Sequence, residues 1–276
     1  VTCLVLSAGV VAAAPVLVQE GVPKAAIVVP AAAGETTRRA AAELAAYVKA
    51  VSGAELAVSE AGAAGPGLPF RIGVKDGLAA ADQAFLAANP EGFVIQVADE
   101  GVTLCGGSER GTLFGVYRFL EQQLGCRWLA PGVDFVPSRP TVTLTAGRLA
   151  SAPVFAHRFF NGAQAERMAW GLKVGLNGYY SAESAATDGQ CFYLPAKLPG
   201  CHTYNRVIPP QTYFEAHPEW FPQLNGKRVP NTLLSGQLCV TADGLADEFA
   251  RNIVALFDAD PQCRITSISP NDGYGW

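Results

Sequence analysis

The residues best suited to chemistry lie near the far end of the chain. Ile265 to Ser269 reads as a short β-type run that delivers a carboxylate, Asp272, into a turn built from Pro270, Asn271 and Gly273. The C-terminal end of a strand is where barrel enzymes keep their catalytic groups. Cleaving a glycosidic bond takes a proton donor to the leaving oxygen and a base, nucleophile or substrate acetamide opposite it. The donor needs a raised pKa, set by burial or a neighbouring charge. Asp272 is the carboxylate best placed for such acid/base or sugar-orienting work, and no second carboxylate is identifiable beside it. An ordinary Asn-Asp-Gly turn is the plain alternative.

Other residues read as substrate contacts. Cys201-His202-Thr203-Tyr204 puts His202 in a polar loop with aromatic neighbours, as a substrate-binding or proton-relay group; a loop histidine satisfied by its surroundings is the alternative. Asn271 stands next to Asp272 as a further polar contact. Trp220, Phe221 and Tyr213 offer an aromatic platform for the C–H face of a sugar ring, and Tyr274 and Trp276 offer another beside Asp272. Equally, His217-Pro218-Glu219-Trp220-Phe221 reads as the anchor of a long loop. His157, His202 and His217 follow no close ligand spacing, so neither a metal nor another cofactor is expected.

Composition narrows the partners. The formal net charge is −4, charged residues make up 16% of the 276, and no basic run exists, which excludes a nucleic-acid binder. Val1 to Val18 is almost wholly apolar and ends in Ala12-Ala13-Ala14-Pro15, the pattern of a secretory leader without its basic front end. Residues 1–21 are read as a partial signal peptide, with the mature chain starting between about residue 15 and residue 22; a buried first strand is the alternative. Secretion, or export to a bacterial periplasm, is the expectation. No other stretch is long and apolar enough to span a bilayer, so stable membrane insertion is not expected after cleavage. Of the seven cysteines, Cys191 and Cys201 bracket a Pro/Gly-containing loop and form the best candidate pair, with buried free thiols as the alternative.

Two domains must position these residues. In the first, residues 22–148, Ala25–Val29 reads as a strand and Glu35–Val51 as an amphipathic helix, with Ala41, Leu44, Ala45 and Val48 at helical spacing and Gly53 as its stop. Phe70–Val74 reads as a strand, Gly92–Val97 and Gly101–Cys105 as a hairpin, and Glu109–Leu124 as a second helix ending at Gly125. The second domain, residues 151–276, reads as strand (155–160), helix (165–176), long proline-rich loop (188–231), strand (238–241), helix (245–257) and strand (265–269). That succession is the front of a (β/α) barrel, and its span is about half of the ~250 residues a whole barrel takes. The fold class expected is therefore α/β: a small mixed-sheet domain followed by the truncated first half of a (β/α)8 barrel.

The quoted runs also carry a resemblance. Ala42-Glu43-Leu44-Ala45-Ala46-Tyr47, Gly92-Phe93-Val94-Ile95, Gly106-Gly107-Ser108-Glu109-Arg110-Gly111 and Leu124-Gly125-Cys126-Arg127-Trp128 resemble the small α/β domain that precedes the barrel in glycoside hydrolase family 20 hexosaminidases and family 67 α-glucuronidases. From about Pro153 onward, His202, the His217 to Phe221 run, Gln237-Leu238-Cys239-Val240-Thr241 and Ser269-Pro270-Asn271-Asp272-Gly273 resemble the start of domain of unknown function 4838. The resemblance implies a carbohydrate substrate, a hydrolase acting on O-glycosyl bonds, and a first domain that supports the barrel without catalytic residues. It also implies that Arg158, on the first strand, binds sugar hydroxyls as a family 20 arginine does, although the surrounding pattern differs. The adjacent Asp-Glu pair of family 20 has no counterpart here. The glycine-rich run is neither GxGxxG nor a lysine-containing P-loop, so tight strand-to-helix geometry explains it better than phosphate binding. Beside the hydrolase stand a non-catalytic glycan-binding or cell-surface module and an inactive gene fragment.

Overall fold

The computed structural model describes residues 14–61, 65, 67–156, 158, 165–177, 202–232, 236–259 and 266–271. The chain divides into two compact units, one comprising residues 1–156 with Leu172–Gly175 and the other the remainder.

The first unit is built on a six-stranded mixed sheet. Its strands are β3 (Ala25–Val29), β4 (Val58–Glu60), β5 (Leu68–Ile72), β6 (Phe93–Ala98), β7 (Gly101–Gly106) and β11 (Gly147–Ser151), in the spatial order β11-β6-β7-β5-β3-β4. Strands β4, β3, β5 and β7 run parallel, while β6 is antiparallel to both β7 and β11. Strand β3 is apolar throughout and all five of its residues are buried, as a central parallel strand covered on both faces must be. A smaller sheet joins β1 (Val16–Gln19), β2 (Val22–Pro23) and β10 (Val142–Thr143). Leu17 and Val18 of β1 are fully buried, so this part of the 1–21 segment is folded as a strand, the form that the alternative reading gave it. Residues 1–13, most of the expected leader, lie outside the described residues.

Side-chain alternation assigns the sheet faces. Val94 and Cys105, paired across the hairpin, join Leu86 of helix α2 (Ala80–Ala88) in one cluster. Gly115 of α3 (Glu109–Phe119) lies so close to Leu104 and Phe93 that a Cβ there would stand 2.9 Å from the leucine side chain and 3.1 Å from that of the phenylalanine. Helix α1 (Glu35–Ser52) buries Ala40, Ala41, Leu44, Tyr47 and Val48 and stops at Gly53, whose φ of 79° is the left-handed cap that glycine adopts without strain. Helix α3 loosens into a π-type turn over Leu120–Leu124 before Gly125 ends it, again left-handed.

The run from Gly106 to Gly111 proves structural. The Ser108 hydroxyl caps α3 by accepting from the Gly111 N–H at 3.2 Å. Glu109 reaches across to the start of α1, where its carboxylate accepts from the N–H groups of Gly34 (2.8 Å) and Thr37 (3.3 Å). A carboxylate at that helix terminus meets both the unpaired N–H groups and the favourable end of the helix dipole. Both helix starts are thus capped from within the run.

Strand β11 crosses the boundary drawn at residue 148, and the first unit extends to about residue 156. Arg148 on β11 is bound by both carboxylate oxygens of buried Asp82 on α2, which pins this edge strand to the body of the sheet. Tyr47 anchors a second polar cluster. Its hydroxyl receives the Trp128 indole N–H and the Lys173 ammonium and donates to Asp134, each at 2.8 Å, tying α1 to the hairpin of β8 (Arg127–Ala130) and β9 (Val133–Phe135). Because these elements close their own core, residues 14–156 should fold alone. Circular dichroism should give one cooperative melt; a gradual, non-cooperative trace would show that the core needs the rest of the chain.

Cys105 and Cys126 are free and buried, and burial pushes both thiols up to about 11. Cys239 in the second unit is held below the usual thiol range, first by the Thr241 hydroxyl and then by Arg228. Alkylation of the native protein, read by mass spectrometry, should therefore label Cys239 well ahead of the other two. Earlier labelling of Cys105 would mean that the sheet core opens. The expected Cys191–Cys201 pair lies outside the described residues.

The second unit contains α4 (Ala165–Lys173, shared with the first), two short helices α5 (Tyr204–Val207) and α6 (Pro210–Tyr213), a 3-10 turn (Pro218–Trp220), a hairpin of β12 (Gln223–Leu224) and β13 (Lys227–Arg228), and α7 (Leu245–Ala259). Residues 202–231 of the stretch read as a long loop carry the two short helices, the turn and the hairpin among these. Its prolines open helices rather than break them, Pro210 and Pro218 both occupying first-turn positions. Leu245, Phe249, Ile253 and Leu256 of α7 pack on a core of Val207, Ile208, Trp220, Phe221 and Leu238, the inward stripe that their spacing predicts.

Two expected strands take another form. Leu238–Thr241 enters a turn in which the Ala242 N–H bonds the Cys239 carbonyl at 2.8 Å. Described residues 266–269 belong to no ladder. At the first expected strand, Val154 and Phe155 are exposed in a bend, and residues 157, 159 and 160 lie outside the described residues. A strand exists only where a neighbour accepts its ladder bonds, and here many of those bonds go to side chains.

Candidate functional site

Three segments converge at the residue before Asp272. The backbone N–H and carbonyl of Asn271 pair with the side-chain amide of Gln237, N–H to Oε1 at 3.1 Å and carbonyl to Nε2 at 2.6 Å. The Asn271 side chain does the same in the other direction. Its Oδ1 accepts from the Asn205 N–H at 3.2 Å, and its Nδ2 donates to the Gly236 carbonyl at 3.0 Å. Asn271 is 4% exposed, so these bonds form in a weakly screened interior where they fix geometry firmly. The polar contact expected of Asn271 is therefore corrected: its amide is turned inward and occupied, and it positions the chain rather than meeting a substrate.

His202 belongs to the same junction. Its backbone is left-handed, with φ of 56°, a conformation uncommon for a residue with a side chain. The Ser269 hydroxyl receives its N–H at 2.9 Å. Its Nδ1 lies 3.1 Å from the Pro270 carbonyl, which can only accept, so Nδ1 carries a hydrogen. Buried Thr203 follows, donating Oγ1–H to the Ser267 carbonyl at 2.9 Å, while its N–H reaches the Ser269 carbonyl at 3.1 Å. The structure thus brings His202 and Asn271 together along residues 267–271. Asp272, Tyr274 and Trp276 lie outside the described residues.

Trp220 is not a platform. It is 4% exposed; His217 stacks on it at 3.9 Å between ring centroids with planes 5° apart, and its indole N–H bonds the Asp243 carbonyl at 2.9 Å. A sugar cannot reach a ring face that a histidine already covers. Phe221 is fully buried and Tyr213 bonds Glu248 at 2.7 Å, so this aromatic run serves as the anchor that the sequence offered as its other reading. Arg158 is held by Asn177, whose Oδ1 receives the Arg158 N–H at 2.8 Å and whose N–H returns to the Arg158 carbonyl at 2.9 Å. A separate apolar cleft of ≈ 380 Å³, lined by Leu238, Val240, Phe249 and Ile253 among others, has neither carboxylate nor histidine in its lining, with Tyr204 as its one ionisable group.

Sequence reasoning missed Thr203 and Asn205, which support the junction. Gln237 opened one of the noted runs, but no local signal shows its amide meeting a backbone 34 residues away.

Comparison with known proteins follows from this geometry. The model of the family described as Domain of unknown function (DUF4838) matches residues 128–276, more than half of the chain, and the chain belongs to that family. No curated protein matches it. Among solved structures it is similar to a family GH115 4-O-methyl-α-glucuronidase with specificity for decorated arabinogalactans, at TM-score 0.55 and 12% identity over 90% of this chain and 41% of that one. It is also similar to a Streptomyces plicatus β-hexosaminidase (TM-score 0.39, 18% identity, 90% and 54% covered) and to Flavobacterium johnsoniae chitobiase (TM-score 0.42, 12% identity, 90% and 41% covered). The chain spans about half or less of each of these structures. The likeness to the glucuronidase is one of fold. The fold class is α/β, a mixed sheet with helices followed by the helix-and-segment order of a partial barrel.

Proposed function

We propose that this chain is part of an exported glycoside hydrolase in which Asp272 acts as acid/base or sugar-orienting group and His202 as substrate or relay group. The observation that carries this reading is the fourfold clamp on Asn271. Four hydrogen bonds from two other segments, Asn205 and Gly236-Gln237, hold the residue bonded to Asp272, more than a surface Asn-Asp-Gly turn needs. Catalysis rewards such restraint, because a displacement of about 1 Å at a reacting group can cost a hundredfold in rate. The partial-barrel order and the fold shared with a glucuronidase support a carbohydrate substrate. In this reading the first unit is a supporting domain, Arg158 contacts sugar hydroxyls, and the partial signal peptide read over residues 1–21, with cleavage from about residue 15, directs export. Among the described residues no helix is long and apolar enough to cross a membrane.

The glycan-binding alternative loses its main carrier, since it needed the aromatic run around Trp220 to face solvent. The clamp itself is testable in the full-length protein. Gln237→Ala should lower kcat for glycoside hydrolysis about tenfold with little change in KM, because it frees the backbone beside Asp272 and removes no substrate contact. A change in KM alone would make Gln237 a substrate contact and the clamp incidental.

A further inference from the structure

The edge of the first unit's sheet leaves a pocket beside the end of α3. In the β6–β11 ladder Leu149 stands opposite Ile95 and Gly147 opposite Val97, and residues directly opposite share a face of the sheet. Gly147 brings no side chain to cover Val97. A Cβ built on it would meet no atom within 4 Å, and its φ of 152° is a conformation that residues with side chains rarely adopt. The gap is therefore set by the backbone rather than left by a loose side chain. It forms a pocket of ≈ 160 Å³ with Ile95, Val97 and Leu149 in its lining.

The facing wall comes from the π-type turn that ends α3, a rare form that recurs at functional sites. Gln122 and Gln123 of that turn line the pocket together with Thr145. The Gln123 side-chain amide is bonded twice to the Thr145 backbone, accepting its N–H at 2.9 Å and donating to its carbonyl at 3.2 Å, so the wall is held in place. Gln122 and Thr145 are exposed, which leaves an amide and a hydroxyl at the mouth.

This lining defines what it can bind. Arg148 is its single ionisable residue. The guanidinium is bound by the buried carboxylate of Asp82 on α2, so its charge is already matched and an ionic ligand gains no partner. What fits is a small neutral molecule with an apolar face and a hydroxyl edge. At ~30 Å³ of liquid volume per water, the pocket has room for about five waters, or roughly one sugar ring. A pyranose would lay its C–H face on the aliphatic residues and offer hydroxyls, each both donor and acceptor, to the amide and hydroxyl at the mouth. We propose that this pocket is a non-catalytic binding site for one neutral sugar ring of a glycan. The site lies within the first unit and stands whether or not Asp272 is catalytic.

The test is two-dimensional amide NMR of the full chain titrated with methyl β-galactoside, methyl N-acetyl-β-glucosaminide and, as the charged control, methyl β-glucuronide. At least one neutral glycoside should shift the Gln122 side-chain amide and the backbone amides of residues 145–149 saturably, with Kd of about 1 mM, and the glucuronide should bind more weakly. Ala146→Phe sets a ring at the exposed mouth and should abolish these shifts with the thermal midpoint unchanged. Gln122→Ala removes one amide contact and should weaken binding about tenfold, which keeps the test decisive if the phenylalanine variant misfolds. Absence of saturable shifts with both neutral glycosides overturns the site, as do shifts that survive both substitutions. A glucuronide bound as tightly as the neutral sugars overturns its ligand class. Because the shifts are read without turnover, retained activity in Asp272→Asn would overturn the catalytic reading and leave the pocket standing, while absent shifts overturn the pocket alone.

Discussion

Asp272→Asn in the full-length protein should lower glycoside turnover by about a hundredfold or more while changing KM little. The substitution keeps the shape of the side chain and replaces its ionisable carboxyl by an amide that neither gives nor takes a proton at ordinary pH. A positioned acid or base contributes about 10²–10⁴-fold to a rate, so even the low end of that range is an unmistakable loss. The Asn271 clamp makes the comparison clean, because the bonds that hold the neighbouring residue come from Asn205, Gly236 and Gln237 and survive the change. The pH profile should lose one of its limbs in the variant, since that limb reports the titration of the missing carboxyl. Retained turnover with a retained profile would return Asp272 to an ordinary turn.

A large effect on stability is expected at Gly107. A Cβ there would overlap the carbonyl oxygens of Leu86 and Asn89. Both are backbone atoms at the end of α2, so no side-chain rotation relieves the clash. Gly107→Ala should cost about 3 kcal/mol, the upper part of the range for overpacking a close-packed interior, measured by denaturant unfolding of residues 14–156. Ser108→Ala next to it removes one cap hydrogen bond and should cost only about 1 kcal/mol. If the two costs come out equal, the close approach of α2 is softer than its geometry indicates. Inorganic phosphate should protect neither variant nor the parent, because Glu109 and Ser108 already fill the two helix starts.

What could be read from the sequence followed local physics. Helix α1 was legible because its apolar residues recur at helical spacing and Gly53 closes it, and the β6–β7 hairpin because two apolar runs flank a polar turn. Helix α2 escaped notice because its alanine-rich sequence buries only Asp82 and Leu86 and shows no stripe. Strand β11 escaped because Gly147-Arg148-Leu149-Ala150-Ser151 has no β-branched residue; pairing with β6 and the Asp82–Arg148 bond place it. The aromatic run around Trp220 was visible, but composition does not reveal whether a ring faces solvent or a stacked histidine. The site was least legible of all. His202 and Asn271 stood out as polar residues in noted runs, yet their meeting depends on Ser269, Pro270, Asn205 and Gln237, which only the folded chain brings together.

The central claim meets its most direct test in the release of nitrophenol from nitrophenyl N-acetyl-β-glucosaminide and nitrophenyl α-glucuronide, with full-length wild type and Asp272→Asn assayed side by side. The account predicts release from at least one of the two by the wild type and its loss by about a hundredfold in the variant. Binding of glycan by the wild type without release of nitrophenol from either would contradict it, and would leave a glycan-binding module in place of an enzyme.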